Sequence, residues 1–237
     1  MSPEPIRDVL RYGTVDIPVT TVFADRATLE IGVEPDGSVL VKAPAGAPYA
    51  RVRARVRQKA RWIERQRAFF RGLPRPAPRE YVSGETHHYL GRGYRLKVER
   101  APRTEVKLLG RHLVARTPDG SPERTARALD RWYRARATAK FAERLDVVLP
   151  RFTPHGVTRP ELRIRAMSTR WGSRTAAGTV LLNPALVRAP VPCVDYVLAH
   201  ELAHALRPHH GPTFYDLLDA TLPDWRRRRD RLNGADW

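Results

Sequence analysis

Val194-Asp195-Tyr196-Val197-Leu198-Ala199-His200-Glu201-Leu202-Ala203-His204-Ala205-Leu206 is the stretch from which the rest of the chain is read. Val194, Val197, Leu198, Leu202 and Leu206 recur at helical spacing and Pro208 and Gly211 stop the pattern, so a helix is predicted from near Pro192 to Leu206. Residues four apart on a helix lie one above the other, so His200 and His204 can present two imidazole nitrogens to one ion. Glu201 stands beside the first of them, where a carboxylate reaches a metal-bound water without ligating. Zinc suits such nitrogens at about 2.0–2.1 Å and lowers the pKa of its water toward about 7. A neighbouring carboxylate can then take the proton and pass it to a leaving amine. The same five-residue pattern recurs by chance on ordinary surface helices. Here its flanks are apolar on both sides, and burying two imidazoles and a carboxylate there without a partner would be costly. The expectation is a Zn2+-dependent hydrolase with His200 and His204 as ligands and Glu201 as general base.

Catalytic zinc keeps three protein ligands and one open position. His209 and His210 follow the helix break and either could fold back under the metal, though neighbours in an extended turn point apart and should not both ligate. His87 and His88 fall in a predicted hairpin and read as solvent-exposed strand residues. Arg170 and Trp171 are candidates for substrate binding, since an arginine near zinc can stabilise an oxyanion. The plainer reading has Trp171 packing against the motif helix and Arg170 paired with an acid.

Composition narrows the alternatives. The only cysteine of the 237 residues is Cys193, so neither an internal disulfide nor a Cys-based zinc knuckle can form, and a metal must rest on histidines and carboxylates. No run of about 18 apolar residues occurs, so no spanning helix is expected, and the N-terminus lacks an apolar core of signal-peptide length. A soluble, cytoplasmic protein with no membrane partner is the expectation. The net charge of +18 and pI near 11.1 favour polyanions, so non-specific nucleic acid is a second expected partner of the basic surface. That inference is weakened by the scarcity of lysine: Lys42, Lys59, Lys97, Lys107 and Lys140 are the only ones among 43 basic residues, and arginine-rich usage can reflect genome base composition.

Two domains are expected, 1–121 and 122–237. In the first, Thr28 to Val33 and Val39 to Val41 read as a hairpin about a turn at Pro35-Asp36-Gly37-Ser38. Val52, Val56, Ala60, Ile63 and Phe70 then mark one long basic amphipathic helix. Leu73 to Pro78 reads as a stiff proline linker, and Tyr81 to Val98 and Val106 to Val114 as further strands. The second domain opens with Ser121 as N-cap and Pro122 at the first helical position. The helix carries Ala126, Leu129, Trp132, Tyr133, Ala137, Phe141 and Leu145 on one face and reaches about Leu149. Leu162 to Met167 and Thr179 to Leu182 read as an antiparallel pair around a Gly-rich loop, and helices are expected over Pro212 to Leu222 and Asp224 to Leu232. No internal repeat is evident in the residues.

Met167-Ser168-Thr169-Arg170-Trp171-Gly172-Ser173, Leu182-Asn183, Asp195-Tyr196-Val197, His210 and Phe214 resemble the YgjP-like (DUF45) metallopeptidases, which are related to the SprT-like and WLM zincins. Val41 to Pro44, Trp62-Ile63, Gly84-Glu85 and Leu90-Gly91 extend the resemblance over nearly the whole chain. It implies a metallopeptidase acting on a peptide or protein, with His200, His204 and His210 as ligands and Glu201 as base. Arg174 stands where relatives usually have Cys, and Gly211 where Ser is frequent, so no role of that Cys carries over. The fold expected on this basis is α+β: a smaller β-rich domain containing one long helix, then a zincin-like catalytic domain with an HExxH helix. The rival is a nucleic-acid-associated protein whose working surface is the basic helix at Arg51 to Arg71 and the Arg226 to Arg229 run, with a zinc site that is structural or processes DNA-bound protein.

Overall fold

Alternating burial along Ile17, Val19, Thr21 and Phe23, and again along Val39, Val41 and Ala43, builds the first of two compact units, Met1–Arg75. The computed structural model describes residues 4–33, 37–72, 79–167 and 170–234. Pro35-Asp36, the proline linker at 73–78 and Ser168-Thr169 lie outside the described residues. Strands β1 (Ile6–Tyr12), β2 (Val15–Ala24), β3 (Glu30–Val33) and β4 (Val39–Pro44) form a sheet in the order β1-β2-β4-β3. The outer pairs are antiparallel and the central β2–β4 pair is parallel. One face is covered by Val52, Val56, Ala60 and Ile63.

These four residues continue one apolar stripe, but over two helices, α1 (Tyr49–Gln58) and α2 (Ala60–Gly72), rather than the single long helix expected. At Lys59 the backbone turns to φ −93°, ψ 3°, and its N–H bonds the Val56 carbonyl three residues back. The stripe fixed burial correctly and concealed the break. Strands β1 and β2 went unread in the sequence, where Asp16 and Pro18 interrupt the apolar run.

The second unit is Pro76–Trp237. Its first sheet, β5 (Thr86–Tyr89), β6 (Arg92–Arg100), β7 (Glu105–Leu109) and β8 (His112–Thr117), has the order β5-β6-β8-β7. The outer pairs are again antiparallel and the central pair parallel, and a helix, α3 (Pro122–Val148), again follows. A topology therefore recurs where the residues show no repeat. The boundary falls at 75/76 rather than 121/122 because Leu96, Leu113 and Ala115 of this sheet share one buried cluster with Leu129, Phe141 and Leu145 of α3.

Three short strands follow, β9 (Leu162–Ile164), β10 (Gly172–Arg174) and β11 (Val180–Leu182), in the order β10-β11-β9. β9 and β11 are parallel; the antiparallel partner of β11 is β10, which came from the stretch read as a loop. Asn183 ties this region together: its Oδ1 accepts from the Ala185 N–H while its Nδ2 donates to the carbonyls of Met167 and Arg170 at 2.7 and 3.1 Å.

Helix α4 (Val191–Ala203) is buried nearly all round, from Cys193 through Ala199 and at Glu201 to Ala203, as befits the central helix of a core. It ends earlier than the predicted Leu206. Ala205 and Leu206 bond carbonyls three residues back, tightening the last turn, and Pro208 disfavours helical backbone at Arg207. The chain continues as α5 (Pro212–Thr221) and α6 (Trp225–Asn233). Asp195 of α4, only 8% exposed, accepts both Arg144 of α3, at 2.8 and 3.0 Å, and Arg228 of α6 at 3.4 Å. No helix among the described residues is long and apolar enough to cross a membrane.

Candidate metal centre

His200 lies inside α4, His204 is the cap residue at its end, and His210 sits in the turn just before α5. The Nε2 atom of His200 is 3.2 Å from that of His204 and 3.0 Å from that of His210. Ligand atoms of all three lie within 4.8 Å of one another. Lone pairs of neutral imidazoles directed at one point repel unless a cation or shared proton lies between them. Tetrahedral coordination at about 2.0–2.1 Å would separate nitrogens by about 3.3 Å, so the donor set fits a small divalent ion. With its Nδ1 proton donated to the Arg207 carbonyl at 3.2 Å, His204 keeps Nε2 as the free electron pair. Phe214 of α5, fully buried, backs the cluster with its ring 4.7–5.1 Å from all three imidazoles.

This corrects the fold-class expectation. The group that could hold a metal is a cluster of three histidines, His200, His204 and His210, and not an HExxH helix: α4 carries only the first, and the others come from its end and the following turn. Sequence spacing showed which residues could meet but not where the helix would stop. His209, exposed, is outside the cluster.

Glu201, 5% exposed, lines the same cleft. Burial pushes its carboxyl up to about 7, against the pull of the Arg170 and Arg174 guanidinium groups. Burial and the neighbouring imidazoles hold His200 down to about 3, and burial also lowers His204 and His210, so the cluster is neutral at physiological pH. Neutral rings are what a metal requires.

The cleft encloses about 780 Å3. Arg170 lines it. Trp171 packs instead against the buried cluster of the unit, and its carbonyl accepts the Asn183 N–H at 2.9 Å. Gly172 and Arg174 are among the lining residues to which the sequence reading gave no site role. Gly172 lets β10 lie directly on α4: a Cβ there would stand 2.7 Å from Glu201 Oε1 and 2.8 Å from Val197 Cγ1. A lone glycine beside aromatic and polar strand residues is the signal for such an approach. Arg174 stands at the end of β10.

His87 is not solvent-exposed as expected. It is 1% exposed, with Nε2 3.3 Å from Glu85 Oε2, and burial draws its pKa down to about 4. It takes no part in the metal cluster. Its strand faces the core rather than solvent, a choice that alternation alone leaves open.

A family model described as the YgjP-like metallopeptidase domain matches residues 27–235. No curated protein matches the chain. Among solved structures, the crystal structure of the metallopeptidase zymogen of Pyrococcus abyssi abylysin is 24% identical over 40% of this chain and 90% of that one, with a TM-score of 0.32. A likeness that slight carries no argument about this chain.

Proposed function

This chain belongs to the YgjP-like metallopeptidase family, and from that premise we propose that it hydrolyses peptide bonds with zinc held by His200, His204 and His210 and with Glu201 as general base. The observation that carries the proposal is the convergence of three neutral imidazoles beside one buried carboxylate in a single open cleft.

A zinc ion bound there would supply Lewis acidity and make water acidic enough to ionise near neutral pH. The remaining work falls to the chain itself. Glu201 takes the proton of the attacking water on its carboxylate and returns it to the leaving amine. Its burial keeps bulk water from competing for that proton, and a pKa near 7 matches both directions of transfer. Gly172 holds the carboxylate against β10, and Phe214 holds the three imidazoles in register. Arg170, on the cleft wall, is assigned to the developing oxyanion, while Trp171 supports that wall from the core side.

The test is Glu201→Gln, assayed for bound metal and for peptide turnover. Metal should stay at wild-type stoichiometry while turnover is lost. Loss of both would move Glu201 into the ligand set, and full turnover would end the mechanism.

A further inference from the structure

The metal cleft is lined on one side by residues with little to grip a side chain: Gly172, Ser173, Thr175, Ala176 and Gly178. Shape therefore discriminates little among substrates there, and charge is what remains. Arg170 and Arg174 are the cationic arginines of the lining, and Glu201 is its only acid among the described residues. Glu201 is committed to proton transfer in the reading above.

Arg174 is the more telling of the two. It ends strand β10, and its guanidinium lies across the turn that leads into β11, where a Cβ on Gly178 would come within 3.2 Å of Nη2. Its Nη1 is closed off from solvent and meets no hydrogen-bond acceptor among the described residues. A buried, charged donor left without an acceptor is costly, and a carboxylate is the acceptor whose geometry a guanidinium fork matches. The cation is thus positioned at the cleft, within electrostatic reach of Glu201, with one donor, Nη1, unpaired among the described residues, which a carboxylate meets when the side chain turns from Gly178 into the cleft.

We propose that Arg174 is a specificity determinant that binds a substrate carboxylate flanking the scissile bond, so that the favoured substrates are acidic peptides. The proposal rests on the hydrolase reading for its word "scissile" but not for the anion site itself. The carboxylate can come from an Asp or Glu side chain or from the peptide's own C-terminus.

Two measurements on the full-length, zinc-loaded chain test it. In the first, internally quenched peptides with amidated C-termini, paired so that only Glu or Gln flanks the cleaved bond, are compared by kcat/KM. Wild type should favour Glu by about tenfold or more, the effect of one charge-assisted bond. Arg174→Gln should bring the ratio close to one, Arg174→Glu should shift preference to Lys, and Arg174→Lys, which keeps the charge but not the fork, should fall between. The same peptides with free C-termini separate the two carboxylate sources: a preference confined to them assigns the site to the chain end. In the second, binding of labelled Glu and Gln peptides to the Glu201→Gln protein is read by fluorescence anisotropy, which needs no turnover. An absent acid preference in wild type, or one untouched by Arg174→Gln, overturns the proposal. If nothing is cleaved but acid-selective binding depends on Arg174, peptide hydrolysis falls and the anion site stands. If peptides are cleaved with no acid preference, the reverse holds.

Discussion

Replacing Gly172 by alanine introduces a methyl group at the contact between β10 and α4, 2.8 Å from Val197 Cγ1 and 2.7 Å from the Oε1 atom of Glu201. Carbon atoms are comfortable at about 3.5–4.0 Å, so the strand and helix must part by about 0.7 Å or more, or the Glu201 side chain must swing away. Overpacking of this kind typically costs about 1–3 kcal/mol. The backbone itself gives no further penalty, because Gly172 does not occupy the left-handed region. The functional loss should be larger than the stability loss suggests: displacing a catalytic group by about 1 Å can cost about 100-fold. Denaturant unfolding, metal analysis and peptide kcat/KM, measured together, should show lower stability, undiminished metal and about 100-fold lower activity. Gly46→Ala, whose new methyl would meet nothing within 4 Å, is the matched control and should change neither. A Gly172→Ala protein with wild-type stability and activity would refute the close packing of Glu201 on β10.

Three further outcomes are expected. In chelator competition, His210→Ala should sharply weaken metal binding while His209→Ala leaves stoichiometry near one; the reverse ranking would transfer the ligand role to His209. His87 should make stability pH-dependent: its folded pKa of about 4 lies below the unfolded value of 6.5, so its contribution is complete above 6.5 and is lost as pH falls toward 4. The stability difference between wild type and His87→Asn should therefore fall by up to about 1.4 kcal/mol per pH unit across that window, and a pH-independent difference would show that His87 protonates in the fold. DNA binding in vitro should weaken steeply with salt. Charge removal at Arg51, Arg57, Arg61 and Arg65, which are exposed, should reduce it more than removal at Arg226 to Arg229, where Asp219, Asp224 and Asp230 already pair with the arginines. Salt-independent affinity, or the opposite ranking, would count against the basic helices as the binding surface.

The candidate site was legible to the extent that covalent spacing fixes it. His200, Glu201 and His204 are neighbours along the chain, and any helical or near-helical backbone keeps them within reach of one another. The end of α4 was not legible, because Ala205 and Leu206 carry on the apolar spacing beyond the point where the hydrogen bonds tighten. Arg174 stood out in the sequence only as a departure from the family pattern; its place in the cleft depends on a three-residue strand too short for alternation to reveal. The domain boundary was misplaced for a related reason. A proline-rich stretch and the start of α3 both look like seams, and only the shared core of Leu96, Leu113 and Leu129 decides between them. The buried face of α3 was readable because Leu129, Trp132, Tyr133, Ala137, Phe141 and Leu145 repeat over many turns of a long helix.

The topology that occurs twice has a consequence for the order of folding. In each sheet the first hairpin closes between residues three apart, Tyr12 with Val15 and Tyr89 with Arg92, at almost no loop cost. The parallel seam in the middle joins residues much farther along the chain, Val19 with Val39 and Arg95 with His112. Local pairs form early and distant ones late, so both sheets are expected to assemble as two hairpins that then join along β2–β4 or β6–β8. Substitutions at Val41 or Leu113, buried on these late-forming seams, should therefore mainly speed unfolding, whereas changes in the outer hairpin turns, whose pairs form before the seam closes, should slow folding.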